Sequence, residues 1–285
     1  MYTRSEPKAP GGYDRYAFAW RHVPAGGAAH LDFGCGDGRF LRMLVGKGIE
    51  RLVGVDVSRE AVERAAASTG LEIIHVDGAL PLPFPDGTFS SITLMDVLEH
   101  VDDQELLLHE LRRVMQDGGT LIVTVPGRHV FSFLDMGNLK FRFPRLHRWH
   151  YCRRHSPAQY ERRYVTNPDG LVGDVSAQKR WHEHFSRDRL QILLNCNGWA
   201  VAEFDGAGLF VRVLKIAELL LGRVGLLRAG IDRLMAWDAR AFAAAHVFCV
   251  ARKCAPLPLK DRKDSPCDYG QAGHDLQAAG SQQLL

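Results

Sequence analysis

Residues 31–41 read Leu31-Asp-Phe-Gly-Cys-Gly-Asp-Gly-Arg-Phe-Leu41, "LDFGCGDGRFL". Glycines at 34, 36 and 38 give the spacing G-x-G-x-G where an apolar run meets a helical pattern. A dinucleotide fingerprint needs its third glycine one place later, and that place holds Arg39. A phosphate-cradling P-loop ends in Gly-Lys-Ser/Thr, which is also missing. The turn is therefore expected to hold neither NAD nor ATP.

Working outward, the chain alternates apolar runs with helical patterns, the sign of parallel β/α units. Strands are expected at "AAHLDFG", "RLVGVDV", "LEIIHVD", "TFSSITLMD" and "TLIVTV". Between them lie a short helix in "GRFLRMLVGKG", a helix capped by Ser58, and a helix over "DQELLLHELRRVMQDGG". The prolines of "GALPLPFPDG" forbid both helix and central strand. Regularity stops from Pro126 to His184 and returns with a helix capped by Ser186, a strand in "AVAEFDGAG", a helical stretch near 209–245 and a last strand, "HVFCVAR". The fold expected is α/β: a doubly wound, seven-strand, mostly parallel sheet with two insertions.

In such a sheet the ligand lies beyond the carboxyl ends of the strands. Gly34, Gly36 and Gly38 stand at the first of these ends, where missing side chains let a ligand approach the backbone. Asp56 ends the second strand, about where an acid takes ribose hydroxyls. Asp77 ends the third, placed to accept from an exocyclic amine. Together these ends describe a nucleoside with something other than phosphate against the glycines, and Asp32 favours a cationic group there.

The series Asp32-x-Gly34-x-Gly36-x-Gly38, Asp56 after "VGV", Asp77 before "GALPLPFPDGTF", and "SITLMDVLEHV" resembles the class I S-adenosylmethionine-dependent methyltransferases. The resemblance is close over 28–127 and looser over 184–208 and 246–253. It implies a Rossmann-like methyltransferase fold whose last strand runs antiparallel beside the sixth, and S-adenosylmethionine as cofactor. Carried over by position, it puts Gly34, Cys35, Gly36 and Gly38 beside the methionine part and Asp56 on the ribose, with Val57 also among the cofactor-binding residues. Asp77, Gly78 and Ala79 would surround the adenine, with Met95 and Asp96 as the floor near the sulfonium.

A sulfonium methyl is already electrophilic, so the protein must mainly align a nucleophile; an alcohol or phenol also needs a base. Asp96, Glu99 and His100 sit at offsets of three and four, which would place them on one helical face. The bland alternative is that Glu99 and His100 cap the next helix. "DVLEHV" also resembles the corresponding segment of the quinone-biosynthesis O-methyltransferases, whose acidic residues and histidine have been linked to a divalent metal. Here the first position is Asp rather than Glu, and no metal ligand is assigned. His182 and His184, in "WHEHFS", precede a helix whose N-terminus should face the same end of the sheet. The candidate catalytic residues are His100, Glu99 and His184.

Between Lys140 and Arg163 there are eight Lys/Arg and one acid, Glu161, interleaved with Phe141, Phe143, Trp149, Tyr151 and Tyr160, and Tyr164 follows directly. Net charge over the chain is only +3, so this concentration is local. It suits a small-molecule or lipid-linked acceptor with a phosphate or carboxylate. Methyltransferases of exocyclic base nitrogens carry an Asn/Asp-Pro-Pro-aromatic motif after the fourth strand. "MDVLEHV" stands there instead, so nucleic acid is not the expected partner, although ribose methylation stays open. The 209–245 stretch has an apolar face suited to burial, a homodimer contact or peripheral contact with a membrane surface.

The six cysteines are scattered with no C-x-x-C pair, so neither a zinc site nor a disulfide framework is indicated. No signal-peptide core and no run of about 18 apolar residues is present, so a cytoplasmic protein is expected. The domain reading is an N-terminal arm or helix over 1–27 and a methyltransferase domain over 28–253. Insertions fall at about 128–183 and 209–245, and a disordered tail is expected at 254–285. An O-methyltransferase is the leading function. An N-methyltransferase, an RNA ribose methyltransferase and a non-catalytic S-adenosylmethionine-binding scaffold are the alternatives.

Overall fold

Residues Ala29–Phe33 form β1, whose apolar run is buried because it lies inside the sheet with helices on both faces. The computed structural model describes residues 14–77, 80–134, 143–166, 171–172, 175–176, 183–221 and 225–254. Around β1 stand β2 (Arg51–Asp56), β3 (Glu72–His75), β4 (Phe89–Met95), β5 (Met115–Pro126), β6 (Trp199–Ala207) and β7 (His246–Lys253). Their order is 3-2-1-4-5-7-6; β7 runs antiparallel to both β5 and β6, and the other pairs are parallel. This is the doubly wound sheet with an antiparallel last strand that the resemblance implied.

The helices are α1 (Arg15–His22), α2 (Arg39–Leu44), α3 (Arg59–Thr69), α4 (Gln104–Val114), α5 (Pro144–Cys152), α6 (Pro157–Glu161), α7 (Arg187–Cys196), α8 (Val211–Leu221) and α9 (Gly225–Ala241). Ser58 accepts from the Ala61 amide and Ser186 from the Arg189 amide, each at 3.2 Å, so both expected caps start their helices. Helix α4 ends at Val114, earlier than its leucine periodicity suggested. Met115 already pairs with Phe89 as the first residue of β5, and Gly118 turns with φ +71°. The segment after Pro126 is also more regular than expected. Pro144 opens α5, and a capping box between Ser156 and Gln159 opens α6.

One core cluster joins Leu31, Val53, Ile92, Leu111, Leu121 and Trp199 on one face of the sheet. A second joins Phe18 of α1 to Phe40, Ile122 and Phe248 on the other, with the Phe18 and Phe248 rings 5.2 Å apart. Helix α1 is thus packed onto the sheet across α2, β5 and β7. In the basic segment, Tyr151, Tyr160 and Tyr164 pack against one another, and Tyr160 and Tyr164 pack against His147, while Phe143 and Trp149 are exposed. Phe141 lies outside the described residues. No described helix is long and apolar enough to cross a membrane.

Candidate functional site

The turn after β1 holds Gly34, Gly36 and Gly38 at φ +78°, +54° and +72°. Amides of Gly34 and Cys35 both donate to the Val55 carbonyl, at 2.8 and 3.0 Å, tying the turn to β2. A Cβ on Gly34 would stand 2.5 Å from Val97 Cγ2, and one on Gly38 2.8 Å from Thr69 Cγ2. At Gly36 an added Cβ meets nothing within 4 Å, so this glycine presents bare backbone to open space. Burial keeps the Cys35 thiol protonated, well above its ordinary range.

Asp56 braces this turn from the end of β2. Its Oδ2 accepts from the Gly36 amide at 2.8 Å and its Oδ1 from the Ser58 amide at 2.9 Å. A carboxylate has about four acceptor positions, so each oxygen keeps capacity for a further donor. Val57 offers its carbonyl to His75 Nε2 at 3.0 Å. Asp77 is exposed at the end of β3; Gly78 and Ala79 lie outside the described residues.

Behind the glycines Asp32 is buried beside its register partner Thr93, whose Oγ1 donates to Asp32 Oδ1 at 2.7 Å. With that proton spent, Thr93 Oγ1 accepts from His30 Nε2 at 3.1 Å, leaving His30 Nδ1 to accept from Ser91 Oγ at 2.8 Å. Burial pushes His30 down to about 3, so the ring is neutral. Burial also pushes the Asp32 carboxyl up to about 7, helped by the charge of Asp56 and opposed by the Thr93 hydrogen bond. A carboxyl in this state ionises readily when a cation arrives.

At the end of β4, Met95 is half-buried and Asp96 has φ +53°, an uncommon backbone for a residue with a side chain. The strain is held by several contacts. The Asp96 amide donates to the Thr124 carbonyl at 2.8 Å, Thr124 Oγ1 donates to Asp96 Oδ1 at 3.0 Å, and Arg15 pairs with Asp96 Oδ2. Arg15 and Arg39 also lie 5.0 and 4.9 Å from the Tyr16 ring. Sequence reasoning missed Arg15. Asp14 as a helix cap and the apolar spacing of α1 signal a helix, but not the partner it reaches.

The left-handed Asp96 also corrects the expected helical face. Leu98–His100 is a single 3₁₀ turn, and α4 starts after three intervening residues, capped by Asp103 on the Leu106 amide at 2.9 Å. Asp96, Glu99 and His100 therefore do not share one helix, and neither Glu99 nor His100 is the cap. Glu99 is buried, with Oε1 4.0 Å from His100 Nε2. Asp96, engaged by Arg15 and Thr124, is a poor fit to a metal-ligand role.

Residues 183–185 run past the end of β5, where Phe185 bridges Pro126 and Arg128. Glu183 accepts from Gln104 Nε2 at 3.0 Å, and the same amide donates to the Leu98 carbonyl at 2.8 Å. His184 Nε2 lies 2.9 Å from Arg212, which can only donate, so that nitrogen is an occupied acceptor. His182 lies outside the described residues. A broad hollow bordered by His109, Arg112, Arg113 and Lys253 lies at the opposite end of the sheet, away from all these groups.

The methyltransferase domain family matches residues 31–123. Over 100 residues the chain is 34% identical to the 2-methyl-6-phytyl-1,4-hydroquinone methyltransferase of Synechocystis sp., covering 34% of this chain and 31% of that protein. Over 99 residues it is 35% identical to the ajmaline N-methyltransferase of Rauvolfia serpentina, covering 33% and 34%. The chain thus spans about a third of the length of these relatives. In fold it is similar to a SAM-dependent methyltransferase from Methanosarcina mazei, with TM-score 0.50 and 16% identity over 84% of this chain and 98% of that one.

Proposed function

We propose that this chain, a class I S-adenosylmethionine-dependent methyltransferase by its domain at residues 31–123, methylates an oxygen of a small-molecule acceptor carrying an anionic group. The carrying observation is the cradle made by Gly36, open above bare backbone, with Asp56 bonded to its amide and Asp32 buried behind it. S-adenosylmethionine, when bound, supplies an electrophilic methyl on a sulfonium. Asp56 would take the ribose hydroxyls with its remaining lone pairs, and Asp32 would offset the positive charge. Gly34, Cys35 and Gly38 would shape the methionine end, Val57 and Asp77 with Gly78 and Ala79 would border the base, and Met95 and Asp96 would form the floor. His100 is the preferred base, standing in the 3₁₀ turn after β4 with Glu99 Oε1 4.0 Å from its Nε2. His184, already accepting from Arg212, is the second choice. The basic segment 140–163 supports the anionic character of the acceptor.

Calorimetric titration with S-adenosylmethionine and, separately, NAD tests the cradle: binding of the first and not the second is expected. Labelled-methyl transfer to extracted small molecules, lipids and RNA then reads the acceptor class. Label in RNA would favour ribose methylation, and label in no fraction with cofactor bound would favour a scaffold.

A lipid-linked acceptor is favoured by one observation. Helix α9 buries Ile231 and Asp238, while Leu227, Leu234 and Trp237 are exposed among Arg228 and Arg233. That face suits an anionic membrane surface. Sedimentation with phosphatidylglycerol vesicles but not phosphatidylcholine vesicles is expected; dimerisation without sedimentation would assign the face to a second copy.

A further inference from the structure

The carboxyl end of the sheet continues past Asp96 to the β6–β7 edge, and a second space opens there. A cavity of about 320 Å³ lies between α1, the end of β6, the start of β7, α8 and α9. We propose that this cavity is an acceptor subsite for an amphipathic oxyanion, a phosphate or carboxylate attached to a flat apolar body. The proposal rests on the methyltransferase reading and goes beyond it by assigning where the acceptor's charged group sits.

Position is the first argument. Arg15 lines the cavity and pairs with Asp96, so a ligand here would be one side chain away from the end of β4. Volume is the second. Small-molecule sites start at about 300 Å³, enough for one ring and one oxyanion.

Charge decides the ligand class. Arg15 and Lys215 line the cavity, and Arg212 lies on the same face of α8, one turn before Lys215. Lys215 is exposed to solvent. Two acids also line the space, each anchored on backbone amides at the start of a helix. Asp238 is buried and accepts from the Leu209 and Phe210 amides at 3.0–3.1 Å, and Asp14 caps α1 through the Ala17 amide at 2.9 Å. Tyr16 accepts from Arg15 at 3.3 Å, which leaves its own hydroxyl proton to donate. His246 feels Arg15, Arg212 and Lys215 together, and burial with this positive field pushes it down to about 4, a neutral ring able to donate one hydrogen bond. Phe248, Met235 and Val211 supply the apolar floor. Lys215, with Arg15 and Arg212 contributing positive potential at His246, stands above this apolar floor and suits a ligand with an anionic group at one end and hydrocarbon at the other.

The test uses the full chain and phenyl phosphate as probe, with benzoate as the carboxylate arm and phenol as the neutral control. Calorimetry should show phenyl phosphate or benzoate binding and phenol not binding. Lys215→Gln should weaken the anion roughly tenfold, the scale of one charge-assisted hydrogen bond, and leave S-adenosylhomocysteine affinity unchanged. His246→Gln, checked for folding by circular dichroism, should weaken it as well. Homocysteine-nucleoside binding without anion binding overturns the subsite and leaves the methyltransferase reading intact. Anion binding that neither substitution alters overturns it too. Anion binding that both substitutions weaken, with no S-adenosylhomocysteine binding, keeps the subsite and removes the methyltransferase reading.

Discussion

Asp32 sits where water cannot reach it, with a carboxyl pushed up to about 7 from the ordinary 3.8. Between those two values the folded chain holds a proton that the unfolded chain has released. Stability from this group is therefore greatest below pH 4 and falls as pH rises towards 7. Cofactor binding should show the opposite slope, because a bound cation favours the ionised carboxylate. S-adenosylmethionine affinity should rise with pH up to about 7 and level off above it, and Asp32→Asn should flatten the curve. A calorimetric series from pH 5 to 8 checks this, and a flat wild-type profile would remove the cation from Asp32. Gly36 and Gly34 separate binding from folding in the same turn. Gly36→Ala costs about 1–2 kcal/mol of backbone strain, and its methyl enters the open space, so cofactor affinity should drop more than tenfold while the melting temperature falls only a few degrees. Gly34→Ala adds a clash with Val97 and should lower the melting temperature further. Equal effects of the two on melting and binding would deny Gly36 its special place.

At the scale of elements, the legible features were those fixed by local chemistry. Ser58 and Ser186 announced their helices because a hydroxyl satisfies an amide two or three residues on, whatever the rest of the chain does. The end of α4 was not legible. Val114 and Met115 continue the apolar pattern of the helix, and only pairing with Phe89 makes Met115 a strand residue. The face expected for Asp96, Glu99 and His100 failed for a related reason: counting offsets assumes helical backbone, and Asp96 takes a left-handed conformation that Arg15 and Thr124 hold from distant parts of the chain. What survives is the pair Glu99 and His100 in one 3₁₀ turn. If His100 is the base, His100→Ala should lower turnover by about 10²–10⁴ without changing S-adenosylhomocysteine affinity, and His184→Ala should have the smaller effect. Single-turnover methyl transfer on an identified acceptor measures both, and unimpaired transfer by His100→Ala would move the base elsewhere.

Across the whole molecule the strand order places the cofactor candidates at the ends of β1 to β4 and the oxyanion cavity at the end of β6 and the start of β7. The first half was readable because each strand end carries its glycine or acid in sequence. The second was not, since Arg15, Lys215 and His246 are far apart in the chain and meet only through the sheet. Helix α1 spans the two halves, with Arg15 on Asp96 and Phe18 on Phe248. Hydrogen exchange should expose this division. S-adenosylhomocysteine should slow the amides of 34–38 and 56–58, phenyl phosphate those of 207–211 and 244–247, and either ligand those of 15–22. Slowing of 15–22 by both would mean that α1 carries each ligand's binding to the other, so the two affinities would be coupled reciprocally. Slowing by only one ligand would make α1 part of that ligand's half alone, with each site filling independently of the other.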